Sequence, residues 1–118
     1  MHLPPFPPTR IVCAILIFTS LGCDWSSPEA KKAKHLERGK SYFEKGQYQE
    51  AIIEYRNVAQ ADPKDGDAQY RLALSYLKLG GVTNFQEAFA ALNKAVALDK
   101  TNRDAQLKLG ELYLLGNE

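Results

Sequence analysis

Residues 67–102 read DAQYRLALSYLKLGGVTNFQEAFAALNKAVALDKTN, and residues 33–65 read AKHLERGKSYFEKGQYQEAIIEYRNVAQADPKD. Superposed on the small residues Gly39 and Ala73, the two stretches pair Tyr42 with Tyr76 and Gly46 with Gly80, at a spacing of 34 residues. An insertion of three, Gly81-Val82-Thr83, then shifts the register, after which Ala51 pairs with Ala88, Tyr55 with Leu92 and Asp62 with Asp99. A third copy opens at Asp104 (DAQLKLGELYLLG), with Gly110 in the place of Gly39 and Ala73. Self-similarity at this period describes small units that bury their apolar faces only by stacking on one another.

Each copy contains two stretches of helical period. Leu72, Ala73, Tyr76 and Leu79 recur at steps of three and four, and Ala51, Ile52, Tyr55, Val58 and Ala59 do the same in a second stretch. Gly46 and Gly80 stand where the first helices should end. Asn84 followed by Glu87 predicts a capping box opening the second helix of copy two. Asp62-Pro63 breaks one unit and Asp65 caps the next, because proline cannot continue a helix and a carboxylate accepts free amide hydrogens. Gly39, Ala73 and Gly110 are expected to face Ala51 and Ala88, allowing close helix approach.

This pattern resembles the tetratricopeptide repeat, a 34-residue helix-turn-helix unit that stacks into a superhelix and binds peptides or partner proteins. The resemblance runs from about residue 33 to 118. His35 and Arg38 depart from it, standing where the family prefers an aromatic residue and Leu, and Lys100 replaces the usual proline. The implied fold is an all-α solenoid of about two and a half units. Its expected divisions are 33–65, 66–102 and a third unit at 103–118 that holds only a first helix. In this family the first helix of each unit lines a concave groove. The corresponding residues are Leu36, Lys40 and Phe43, then Tyr70, Leu74 and Leu77, then Leu107, Glu111 and Leu114. The resemblance therefore implies a mostly apolar groove suited to an amphipathic helix or an extended peptide with Leu or aromatic anchors. Lys40 and Leu74 occupy places where chaperone-tail receptors carry asparagines, so the carboxylate-clamping set of those members is not expected. Leu36 and Leu107 are equally open to packing within the chain.

Ahead of the repeats the composition changes. The chain has 15 Lys and Arg against 14 Asp and Glu, a net +1, yet up to Cys23 the only charged residue is Arg10. Residues 1–10 (MHLPPFPPTR) are proline-rich and weakly basic, residues 11–18 (IVCAILIF) are apolar, and Thr19, Ser20 and Gly22 are small. This is the layout of an export signal. A helix from Ile11 to Gly22 would measure about 18 Å, against about 30 Å of hydrocarbon in a bilayer. Ser20-Leu21-Gly22-Cys23 resembles a bacterial lipobox, which implies a leader of 1–22, acylation of Cys23 and a tether over 23–32. Acyl chains hold a protein at a membrane through roughly 0.8 kcal/mol per buried CH₂. Asp24, by the same resemblance, implies inner-membrane retention. Trp25 could sit at a headgroup layer, while Lys31, Lys32 and Lys34 read as the solvated start of the first helix. The expected location is a bacterial cell envelope, lipid-anchored and periplasm-facing.

Other chemistry is disfavoured. Without Arg10 the charges balance at 14 against 14, which leaves no electrostatic footprint for nucleic acid. Cys13 and Cys23 both precede the repeats, so thiolate chemistry and disulfides are not expected within them. Gly39-Lys40-Ser41 mimics the end of a phosphate loop, but Lys34 stands where its first glycine must be. Asp62, Asp65 and Asp67 lack calcium-loop spacing, with Ala73 at the position of the bidentate Glu. His35 has no second histidine or Ser-His-Asp set around it. No cofactor, metal or catalytic residue is expected, and an enzyme would need a further domain beyond Glu118.

The third unit stops after one helix whose leucines cover more than one face, so the chain reads as a fragment of a longer array, or as one whose end is covered by a partner or a second copy. Lipobox, tether and the segments AIIEYRN and LKLGELYLLG together most resemble tetratricopeptide lipoproteins of exopolysaccharide and PEP-CTERM sorting systems. A pilot or assembly lipoprotein for an outer-membrane machine, or a truncated product without function, are the alternatives. If Ala51 and Ala88 mark close helix contacts, Ala51→Leu and Ala88→Leu should each lower stability by about 1–3 kcal/mol through overpacking. A thermal melt that both substitutions leave unchanged contradicts the pairing.

Overall fold

In a computed structural model, the protein is described at His2 and over residues 27–116. The export leader, Cys23 and Trp25 lie outside the described residues. Five helices follow in order: α1 (Pro28–Glu44), α2 (Tyr48–Ala61), α3 (Gly66–Leu79), α4 (Val82–Leu98) and α5 (Arg103–Leu115). Each packs chiefly on its neighbours in sequence, so the described chain is the all-α array of helical hairpins that the period predicts.

Local chemistry sets the boundaries. Ser27 caps α1, its Oγ accepting from the Ala30 amide at 3.1 Å, and Pro28 fills the first helical position, where no amide hydrogen is needed. Asp65 and Asn102 do the same for α3 and α5, accepting from the Ala68 and Ala105 amides at 2.9 and 3.0 Å. Gly80 ends α3 with φ +76° and Gly46 follows α1 with φ +74°, a left-handed backbone that glycine adopts without strain.

The insertion corrects one expectation. The α4 helix begins at Val82 behind Gly81, so Asn84 lies inside it and its amide donates to the Gly80 carbonyl at 2.7 Å instead of capping a start at 85. Val82, Thr83 and Asn84 have become an extra turn, which makes α4 17 residues long against 14 for α2.

The core forms where small side chains let helices meet. Ala51, Ala73 and Ala88 are fully buried, together with Tyr55 and Leu92. A Cβ on Gly39 would lie 2.6 Å from the Tyr55 ring, so glycine is required for α2 to close on α1 at that point. Gly110 does not repeat this role: nothing lies within 4 Å of the Cβ it lacks, because no second helix of its own unit packs there among the described residues. Edge-on aromatic pairs brace two contacts, Phe43 with Tyr48 at 5.3 Å and Phe89 with Tyr113 at 4.9 Å between ring centres.

Of the three early lysines, all within α1, Lys32 holds the turn between α2 and α3. Its ammonium lies 2.6 Å from Asp62 and 2.8 Å from Asp65. The Lys32 ammonium holds the Asp62 carboxyl below its ordinary range, and the two carboxylates raise the Lys32 pKa. A lowered carboxyl contributes stability above its unfolded pKa of about 3.9 and loses it as pH falls through the folded value. Because the pair is partly solvated its contribution is small. The loss of melting temperature between pH 7 and pH 3 should be less in Asp62→Asn than in the parent, and Lys32→Met should behave likewise; thermal melts across that range check both.

Candidate functional site

The groove residues implied by the sequence divide among the first helices of the units. Leu36, Lys40 and Phe43 stand on α1, Tyr70, Leu74 and Leu77 on α3, and Leu107, Glu111 and Leu114 on α5. Spacings of three and four place each trio on one side of its helix. The α1 and α3 members Leu36, Phe43, Tyr70 and Leu77 are half-buried and pack against the core with part of their surface exposed. Leu74 is half-buried too, and Lys40 is exposed. Their apolar surface is thus held in fixed positions by the core beneath it.

The α5 members differ. Leu107 is 67% exposed and Leu114 is 75% exposed, so neither is anchored by the core. Of the two leucines open to internal packing, Leu36 takes that role and Leu107 does not. Glu111 is held by its own helix, with its carboxylate 2.6 Å from the Lys108 ammonium. Burial pushes the Tyr70 hydroxyl pKa up, and the nearby Asp104 carboxylate adds to the shift. Tyr70 of α3 thus lies within electrostatic reach of the start of α5.

Two apolar openings that share Phe85 lie along α4, one against α3 and one against α5. Leu77 opens onto a cavity of about 390 Å³ that Tyr76, Val82 and Phe85 also line. A second cavity of about 350 Å³ lies between Phe85 and Phe89 of α4 and Leu112 and Tyr113 of α5. Sequence reasoning passed over Phe85 and Phe89. Their spacing of four was a visible signal, but groove positions were sought on first helices alone. The arrangement offers shape and apolar contact for a polypeptide, with the polar side chain of Gln86 in the lining of the second cavity.

Comparison with known proteins agrees with this geometry. Residues 39–80 match the family described as TPR repeat, and residues 67–100 match the family described as tetratricopeptide repeat. The chain carries tetratricopeptide repeats. It is similar to the peptidyl-prolyl cis-trans isomerase FKBP4 of Mus musculus, 25% identical over 99% of this chain and 29% of that protein. It is also similar to the DnaJ homolog subfamily C member 3 of Mus musculus, 33% identical over 69% of this chain and 16% of that protein. The tetratricopeptide chain therefore spans less than a third of either relative. Among solved structures it resembles the TPR2B domain of yeast Sti1, described in complex with pHsp70, with a TM-score of 0.66 and 26% identity over 72% of this chain and 66% of that one. The tetratricopeptide solenoid expected from the 34-residue period is thus the fold of this chain.

Proposed function

We infer that the protein is an adaptor that holds a protein or peptide partner against the apolar groove of its repeats while Cys23 anchors it to a bacterial cell-envelope membrane. The half-buried trio Tyr70, Leu74 and Leu77 carries the binding half of this reading, since it presents apolar surface that the core positions but does not cover. The solved neighbour, a repeat domain in complex with pHsp70, supports a peptide as the class of ligand. Lys40 and Leu74 in place of asparagines argue for a ligand held by apolar anchors and not by its terminal carboxylate.

The anchoring half rests on the sequence SLGC at 20–23 behind an apolar run. Among the described residues no helix is long and apolar enough to cross a membrane, and acylation supplies an attachment that needs none. Asp24 favours the inner membrane, and the pathway reading is a sorting system of the exopolysaccharide or PEP-CTERM kind. Self-association is a second binding mode, favoured by Leu107, Tyr113, Leu114 and Leu115 all standing exposed on α5.

The two halves separate experimentally. Mass spectrometry of the membrane fraction should find acylated Cys23 in the parent, and Cys23→Ser should move the protein to the soluble fraction; an unacylated, soluble parent removes the anchor. With a photo-crosslinker at Leu74 and a control at exposed Ile53 on α2, adducts with a polypeptide should form at position 74 and not at 53. Leu74→Asp should weaken capture of that polypeptide by about tenfold or more, in line with loss of an interface anchor. Equal crosslinking at both positions contradicts the groove.

A further inference from the structure

A second face of the array carries an opening that the groove reading leaves unused. It lies between α2 and α4, floored by α3, and encloses about 300 Å³. On α3 it meets Gln69, Leu72 and Tyr76. The groove positions Tyr70, Leu74 and Leu77 lie on a different side of that helix.

The repeat shows what has changed at this place between the two units. Gln69 stands 34 residues after His35, and Ala91 stands 37 residues after Glu54, which are the offsets of the two copies before and after the insertion. In the first unit His35 Nδ1 and a Glu54 carboxylate oxygen lie 2.6 Å apart and fill the space between α1 and α2. In the second unit the carboxylate has been shortened to the methyl group of Ala91, and Gln69 remains without its partner. Gln69 is only 8% exposed, yet its carboxamide, which makes no hydrogen bond among the described residues, is not sealed off and keeps access to solvent at the opening it lines. An amide placed at the edge of an opening in this way is a donor and acceptor that a ligand can reach.

Cations flank that amide. Arg56 stands on the α2 wall, its guanidinium donating to the Tyr76 hydroxyl and lying 5.7 Å from the Tyr76 ring centre. Lys94 stands on the α4 wall. Neither forms an ion pair with a carboxylate among the described residues. Glu87, two turns before Lys94 on α4, leaves the lining with one net positive charge, which suits a single carboxylate and disfavours a dianion. We propose that the cleft between α2 and α4 is a docking site for an acidic side chain of a partner polypeptide, whose carboxylate replaces the missing Glu54 equivalent and bonds Gln69, Arg56 and Lys94. The inference stands apart from both the groove and the lipid anchor.

The test uses the full ¹⁵N-labelled chain in detergent micelles, titrated with the peptide Ac-Gly-Ala-Glu-Ala-Gly-NH₂. The side-chain amide pair of Gln69 should shift saturably. The same peptide with Gln for Glu, and free glutarate, should each bind at least about tenfold more weakly, the scale of one lost charge-assisted contact or of the missing backbone. Lys94→Gln, at an exposed position, should also weaken binding about tenfold. The double variant Gln69→His/Ala91→Glu rebuilds the pair of the first unit and should abolish the peptide-induced shifts of the backbone amides of Leu72 and Ala90, which line the same opening and are followed in parent and variant alike, with a retained melting transition as the check on folding. Equal binding of the Gln peptide, equal binding of glutarate, or an unchanged curve in Lys94→Gln overturns the proposal.

Discussion

Everything in this molecule depends on how closely its helices approach at a few positions without side-chain bulk. Gly39 lies against the Tyr55 ring with no room for a single methyl group, and Ala51, Ala73 and Ala88 are sealed from solvent. Interiors pack at crystal-like density, so one added carbon at such a point moves a whole helix. With the backbones this near, Tyr55 and Leu92 can fill the remaining volume, and the outer sides of α1 and α3 acquire fixed positions. The groove is a by-product of that closeness: Leu36, Phe43, Tyr70 and Leu77 each spend part of their surface on the core and offer the rest.

The architecture was legible because the repeat states each residue type twice. Position by position, small, aromatic and turn residues recur, and a stacked array is the arrangement that gives all of them the same role. The turn chemistry was readable at Asp65, which caps α3 as a carboxylate does. Two local expectations failed for identifiable reasons. Asn84 and Glu87 have capping-box spacing, but Gly81 can start a helix earlier, and three further residues in helical form satisfy more backbone groups than a loop would. Gly110 matches Gly39 in register, yet a small residue marks close approach only where a helix is present to approach.

The candidate sites were less legible than the fold. Which groove side chains are anchored and which stand free depends on neighbours in space, so Leu36 and Leu107 looked alike in the sequence and differ in the structure. Phe85 and Phe89 belong to a second helix: Phe89 joins the apolar lining where α5 lies alongside, and Phe85 also lines the cavity beside Leu77 of α3. The α2–α4 cleft is subtler still: Gln69 and Ala91 in its lining stand where the first unit has His35 and Glu54. A periodic reading weights the residues that repeat. Sites arise where the repeat breaks.

The position of the Lys32 clamp gives the array a mechanical direction. Helix α1 packs chiefly on α2 and begins at Pro28, so a pull transmitted through the preceding chain would peel α1 away from its free end. Among the described residues, the first long-range ion pair such a force meets is the ammonium of Lys32 between Asp62 and Asp65. These contacts lie at the seam between the first two units, so load would pass directly into the turn that joins α2 to α3 before any groove residue is disturbed. An ionic fastening at this place weakens as salt screens it.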